Sequence, residues 1–387
     1  MKVYDLIKKN RISVLIAVVI LMQNPIWSFW KYGILIAYFV VFLLFVLKYK
    51  FYRYKISSLV AFISLMSIFV FCIFPIFNNI RLSSYFILFT YWIACSLSES
   101  EGAVTLRIIT RFLAIVIAVS LPVWLLNVSL DLYQPIDSID LSDVKGGQCI
   151  MNNYILYVTN ADAGYFRFYS MFDEPGVLGT LSSFVLFGNR YNFKKWDNVV
   201  ILIGGIFTYS LAFYVLTLLG YLYYSIHSIK RLLISILLCP LILFIVFQLL
   251  KDDLAFQYAI VDRFSDFGVE NLDNRTGTGI NTFFDHFILS SDAFWGMGTG
   301  YLQANGLQDG NSYKMFIIEY GLLGMVLLLL MYKSLIKKCD KSALVFYILF
   351  FLSFTQRPFA FTSWQLLLFT CVISSLSLYK RKLITCS

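Results

Sequence analysis

Apolar residues in this chain come in long runs, and short charged clusters separate them. A run of about 18 or more apolar residues is long enough to cross a bilayer as a helix. The pattern predicts helices at about 12–28, 32–47, 56–75, 81–98, 107–127, 175–190, 198–209, 211–226, 232–250, 315–332, 342–356 and 361–379. Two stretches are too polar to span, 128–174 and 252–314. The expected fold class is therefore an all-α polytopic integral membrane protein of about twelve spans. The chain reads as one domain, 1–387, with two large loops.

Composition strengthens this reading. Apolar residues make up 59% of the chain and charged residues 14%, against about 45–50% and about 25% in soluble domains. The net charge of +9 does not point to nucleic acid, because the basic residues sit in small clusters between apolar runs. Those clusters include Lys48, Lys50, Arg53 and Lys55; Arg190, Lys194 and Lys195; Lys230 and Arg231; Lys333, Lys337, Lys338 and Lys341; and Lys380, Arg381 and Lys382. With both termini inside, all of them are cytoplasmic, as the positive-inside rule requires. The loops 128–174 and 252–314 then face outward, which in a bacterium is the periplasm. The basic N-terminus and its apolar run resemble a signal peptide, but no small-residue cleavage site follows, so an uncleaved first helix is expected. Of seven cysteines only Cys149 falls clearly in an exposed loop, which argues against a disulfide framework.

Residues 198–226 form one apolar stretch with basic flanks on both sides. Both flanks belong in the cytoplasm, so the stretch must go out and return, with its turn near Tyr209 and Ser210. Each arm is then shorter than the ~20 residues of a full span. Such a hairpin is tolerated where protein buries it or where it lines a cavity. Each large loop is expected to hold one or two short helices at the membrane surface. In the second, Thr276 or Thr278 is placed to cap a helix ending near Leu289.

Few basic residues face out: Lys31, Arg81, Lys145, Arg167, Lys251, Arg263, Arg275, Lys314 and Arg357. Topology disfavours them there, so those retained are candidates for function or for pairing with outward acids and headgroups. Guanidinium groups grip phosphate bidentately and stay charged. Arg167 and Arg275 lie in dense polar motifs and are the leading catalytic candidates. Asp173 and Glu174 precede Pro175, where a helix begins; an acid there is favoured by the helix dipole, and Glu174 is also a candidate general base. Arg263, His286, Asp309, Asn311 and Tyr313 complete the candidate substrate-binding set, with Asp173. His286 is the one histidine predicted outside, and no H-x-x-x-H or D-x-D spacing accompanies it, so no metal and no cofactor is expected. Gly296, Gly298 and Gly300 lack the strand–helix context of a dinucleotide fingerprint; they predict a tight turn that brings backbone close to a ligand. Outward Tyr133, Tyr165, Tyr169, Trp295, Tyr301 and Tyr313 are candidates to stack on sugar rings, beside the reading in which aromatics face lipid or the interface.

These residues together resemble the O-antigen polymerase and O-antigen ligase superfamily. Its members show an arginine, a segment ending in a G-x-G turn, a His-Asn pair, and a helix with E-x-G-x-x-G. The corresponding residues here are Arg275, Trp295-Gly296-Met297-Gly298, Asn311-Ser312, and Glu319, Gly321 and Gly324. Arg167 leading into Pro175 and Gly179 resembles the earlier arginine-to-glycine motif, and Ser210 matches a serine at the turn of a short hairpin. The resemblance covers about residues 160–330. Where the ligase branch has histidine before the asparagine, this chain has Gly310, which favours the polymerase branch.

The resemblance implies a glycosyltransferase of C-type architecture. It would transfer a growing glycan from undecaprenyl pyrophosphate to a hydroxyl on a lipid-linked repeat unit at the periplasmic face of the inner membrane. Arginines would stabilise the pyrophosphate leaving group without a metal. The implied partners are the undecaprenyl-pyrophosphate-linked oligosaccharide and membrane lipids, with room for a chain-length regulator and none for nucleic acid. Two alternatives stay open: a ligase that transfers glycan to the lipid A core, and a flippase or transporter for lipid-linked oligosaccharide.

Overall fold

A computed structural model describes residues 10–23, 30–48, 57–73, 82–142, 149–161, 167–226, 278–307, 312–336, 340–357 and 359–386, with isolated positions between 248 and 257. The protein is mostly helical, with fourteen α-helices among these residues. The first five are α1 (Arg11–Met22), α2 (Trp30–Leu47), α3 (Ser58–Ile68, running on into a π turn at Phe69–Ile73), α4 (Leu82–Ser96) and α5 (Glu99–Leu130). Next come α6 (Pro175–Gly188), α7 (Trp196–Phe207) and α8 (Leu211–Ile226). Three short helices follow, α9 (Thr278–Phe287), α10 (Asp292–Trp295) and α11 (Tyr301–Ala304). The last are α12 (Tyr313–Ser334), α13 (Lys341–Gln356) and α14 (Ser363–Cys386). Every apolar stretch predicted from the sequence carries one of these helices except 232–250, of which only Gln248 is among the described residues. α5 and α12 are long and apolar enough to cross a membrane, and most of the others are shorter apolar helices.

The first large loop corrects the sequence reading. Instead of short helices it holds a three-stranded antiparallel sheet, in the order β1 (Asp137–Asp140), β2 (Ile150–Asn153), β3 (Val158–Asn160). Ile139, Ile150, Val158 and Thr159 suit a pleated surface. Asn153 makes the β2–β3 turn, its side chain accepting from Ile155 N–H at 2.9 Å while Ile155 takes φ 67°. Leu141, Met151, Val158 and Tyr169 bury one face. The sheet is tied to the end of α5, where Asn127 donates to the Tyr157 hydroxyl at 2.7 Å and accepts from Tyr133 N–H at 2.6 Å. Burial pushes the Tyr157 phenol above its usual range despite the bond from Asn127. The second loop does hold short helices, α9 to α11, and α9 starts at Thr278.

The chain divides into two compact units, one drawn from Met1–Gln23, Ile34–Thr105 and Asp273–Ser387, the other from Asn24–Gly33 and Leu106–Leu272. In the first, α5 opens with a capping box: Ser98 N–H donates to Glu101 at 2.9 Å and Glu101 N–H to the Ser98 hydroxyl at 3.3 Å. The Lys48 ammonium at the end of α2 meets both Glu101 oxygens at 2.8 Å. The Ser13 hydroxyl donates to the Glu101 carbonyl at 3.0 Å, so α1, α2 and the entry to α5 are fastened at one residue. Burial raises the Glu101 carboxyl, but Lys48 and the Ser98 donors outweigh it and hold the group below its usual value.

Candidate functional site

In the second unit the predicted hairpin is present. α7 ends at Phe207, α8 begins at Leu211, and Tyr209 reverses the chain at φ 46°. At about 1.5 Å per residue both arms fall short of a bilayer core of about 30 Å. A helix leaves its last four carbonyls without intrahelical partners, and here the four carbonyls from Ile206 to Tyr209, at the end of α7 and just beyond it, accept from side chains or from the incoming loop. Ile206 O accepts from the Tyr214 hydroxyl at 2.6 Å and Phe207 O from Phe168 N–H at 3.1 Å. Arg167 supplies the other two, Nε donating to Thr208 O at 2.9 Å and Nη2 to Tyr209 O at 2.8 Å. The cation also complements the negative end of the α7 dipole.

α6 crosses this turn at glycine. A β-carbon on Gly179 would lie 2.8 Å from Ser210 Cβ, so the two positions picked out by the hairpin and arginine-to-glycine motifs are in contact. Glu174 is the N-cap of α6, with extended torsions and Pro175 in the first turn. Its side chain makes no cap bond; its carbonyl accepts from Val177 N–H at 3.1 Å. Asp173 and Glu174 are both half-buried. Sequence reasoning missed Trp124 of α5, whose ring packs on Phe168 and Phe207 with centroids 5.4 and 5.8 Å away. Trp124 is 2% exposed and its Nε1–H has no partner among the described residues. No one-dimensional signal marks it, because its neighbours come from two other segments.

In the first unit the Trp295–Gly298 turn meets α12. Gly321 takes φ 70° and ψ 178° inside α12 and breaks its hydrogen-bond ladder. Met297 N–H donates to Ile318 O at 2.7 Å, Gly298 N–H to Glu319 O at 3.0 Å, and Gly300 N–H to the Glu319 carboxylate at 3.3 Å. The glycine turn thus makes its close approach to the backbone of α12. Around it, Ile280, Phe284 and Phe287 of α9 bury against Ala293, Leu302, Ile317 and Ile318. Tyr313 belongs to this cluster, edge-on to Phe284 at 6.2 Å. Lys314 pins α9 by donating to Asn281 at 2.6 Å.

His286 is exposed on the last turn of α9. Arg263, Arg275, Asp309 and Asn311 lie outside the described residues, as does Tyr165. Of the aromatic candidates, Tyr169 is core of the β-sheet and not a free platform, whereas Tyr133 and Trp295 are 48% and 43% exposed. Arg357 follows α13 and is buried at 6% exposure, its guanidinium 5.8 Å from the Phe359 ring. No known protein family matches this chain, and neither do any curated proteins or solved structures.

Proposed function

We propose that this chain is a polytopic inner-membrane glycosyltransferase of the O-antigen polymerase kind, with both termini cytoplasmic. It transfers a growing glycan from a lipid pyrophosphate to a lipid-linked repeat unit on the periplasmic side. The observation that carries the reading is the packing of the Trp295–Gly298 turn into the Glu319–Gly321 break, since these are the segments on which the resemblance rests. Apolar exposure supports the membrane part: Leu35, Phe39, Phe42 and Val46 line one exposed face of α2, and Leu59, Phe62, Leu65 and Phe69 one of α3. Apolar faces this continuous belong against lipid or a partner.

Arg167 binds the donor pyrophosphate and offsets the charge that develops on it as it leaves; Arg275 is the second arginine that the resemblance assigns to this chemistry. Arg167 held at the tip of the hairpin supports this, because the tip is the end of α7 and α8 that points away from the basic flanks. Lipopolysaccharide gels of a deletion strain test the function. Core bearing a single repeat is the expected product. Bare core with accumulated lipid-linked polymer would replace the polymerase with a ligase, and unchanged long chains would remove both.

A further inference from the structure

Glu319 is the one acidic residue of α12, a third of the way along it, and the one charged residue between Met315 and Tyr332. It sits beside the one non-helical residue of α12, and its carboxylate receives Gly300 N–H at 3.3 Å. Torsions like those of Gly321 are open almost only to glycine, and they persist where the surrounding structure over-determines them. The turn and the helix are in backbone contact here: a β-carbon on Gly321 would lie 2.5 Å from the carbonyl carbon of Trp295. Trp295 and Phe294 are 43% and 50% exposed and stand edge to face at 4.9 Å. A carboxylate and an exposed indole therefore arise from backbone positions that touch. A pyranose offers an apolar C–H face to an aromatic ring and hydroxyl donors to a carboxylate, where the charge strengthens the bond.

We propose that Glu319 is the general base of the transfer and that Trp295 is the platform on which the acceptor sugar lies. This rests on the polymerase reading above. The acceptor hydroxyl gives its proton to the Glu319 carboxylate, and its oxygen forms a bond to the anomeric carbon of the donor glycan. The anomeric C–O bond to pyrophosphate breaks, and its electron pair leaves on the pyrophosphate. Glu174, the base expected from sequence alone, then has no proton-transfer role.

The test uses full-length protein in nanodiscs with lipid-pyrophosphate-linked repeat-unit oligosaccharide as both donor and acceptor. Glu319→Gln keeps an oxygen for Gly300 N–H, so the turn is retained while the base is lost. The expected result is kcat lowered by about 10²–10⁴-fold, unchanged thermal stability, and loss of the acid limb of the wild-type pH–rate profile. Glu174→Gln should keep that limb. Trp295→Ala should raise the acceptor KM roughly tenfold with kcat retained, and Trp295→Phe should raise it less. An active Glu319→Gln with the wild-type pH profile would overturn the inference and leave the polymerase reading standing. A wild-type protein that makes no polymer from this substrate would overturn that reading, and the inference with it.

Discussion

Gly296 and Gly321 pack backbone against backbone. A β-carbon on Gly296 would lie 2.5 Å from Gly321 N, and one on Gly321 would lie 2.6 Å from Gly296 N. Both also hold positive φ, 86° and 70°. Alanine at either position faces two costs, a disfavoured backbone region of about 1–3 kcal/mol and a collision with backbone that cannot swing aside. Gly306 provides the control, since it has φ 67° and nothing within 4 Å of where a β-carbon would stand. Gly296→Ala and Gly321→Ala should lose the monodisperse peak in detergent size-exclusion, whereas Gly306→Ala should keep it.

Arg167 has a structural duty that any functional test must separate from chemistry. It holds the carbonyls of Thr208 and Tyr209, and a bond to a charged group contributes roughly 1.5–3 kcal/mol. Arg167→Ala should therefore lower the unfolding temperature in detergent by about 5 °C or more, relative to a Lys145→Ala control. Lysine keeps the charge but has no planar fork for two carbonyls, so Arg167→Lys should fall between. A polymer defect larger than the loss of folded protein at matched levels would be the mark of pyrophosphate binding.

The Lys48–Glu101 pair sets a pH dependence. The Glu101 carboxyl is held below its usual value in the folded protein. Its contribution to stability is then full above the unfolded value of about 4.3 and is lost as pH falls through the lower folded value. Glu101→Gln should be less stable than wild type at pH 7, and the gap should close on acidification below about pH 4. Thermal melts of the two proteins from pH 7 downward would show parallel curves instead if the pair contributed nothing.

The helices were legible because burial against lipid or protein demands long apolar runs, and the turn at Tyr209–Ser210 because the apolar stretch is basic on both flanks, for which the positive-inside rule predicts one side. The β-sheet was not: strands of three and four residues are too short for a period of two to stand out. The partners of Arg167 were hidden for another reason, since they are main-chain carbonyls some forty residues away and carry no side-chain signature. The glycine motif announced a tight turn but not its partner, because a break in α12 at Gly321 depends on the turn that packs into it. Arg357 read as an outward surface cation, and only tertiary packing buries it.

Chelation tests the chemistry of the leaving group. The outward acids and His286 show no ligand spacing in the sequence, and hard divalent cations need several oxygen ligands brought together. Polymerisation by purified protein should survive EDTA. Activity lost to the chelator and restored by Mg²⁺ or Mn²⁺ would transfer the charge-stabilising role from the arginines to a metal.

Orientation can be decided by cysteine labelling in a variant with the native cysteines replaced. The charge clusters predict Arg190, Lys194 and Lys195 inside and both large loops outside. The fold supplies good probe positions for each side. Ser138 is exposed on β1, Gln303 is exposed on α11, and Asn192 is exposed between α6 and α7. Ser142 is a poorer choice, because it is half-buried and its hydroxyl accepts from Cys149 N–H at 3.1 Å. An impermeant thiol reagent applied to intact spheroplasts should reach Ser138→Cys and Gln303→Cys and spare Asn192→Cys. Lysis should then expose Asn192→Cys, which shows that protection came from the membrane and not from packing. Labelling of Asn192→Cys before lysis, with both loop positions protected, would invert the protein and take both candidate sites away from the periplasmic substrate.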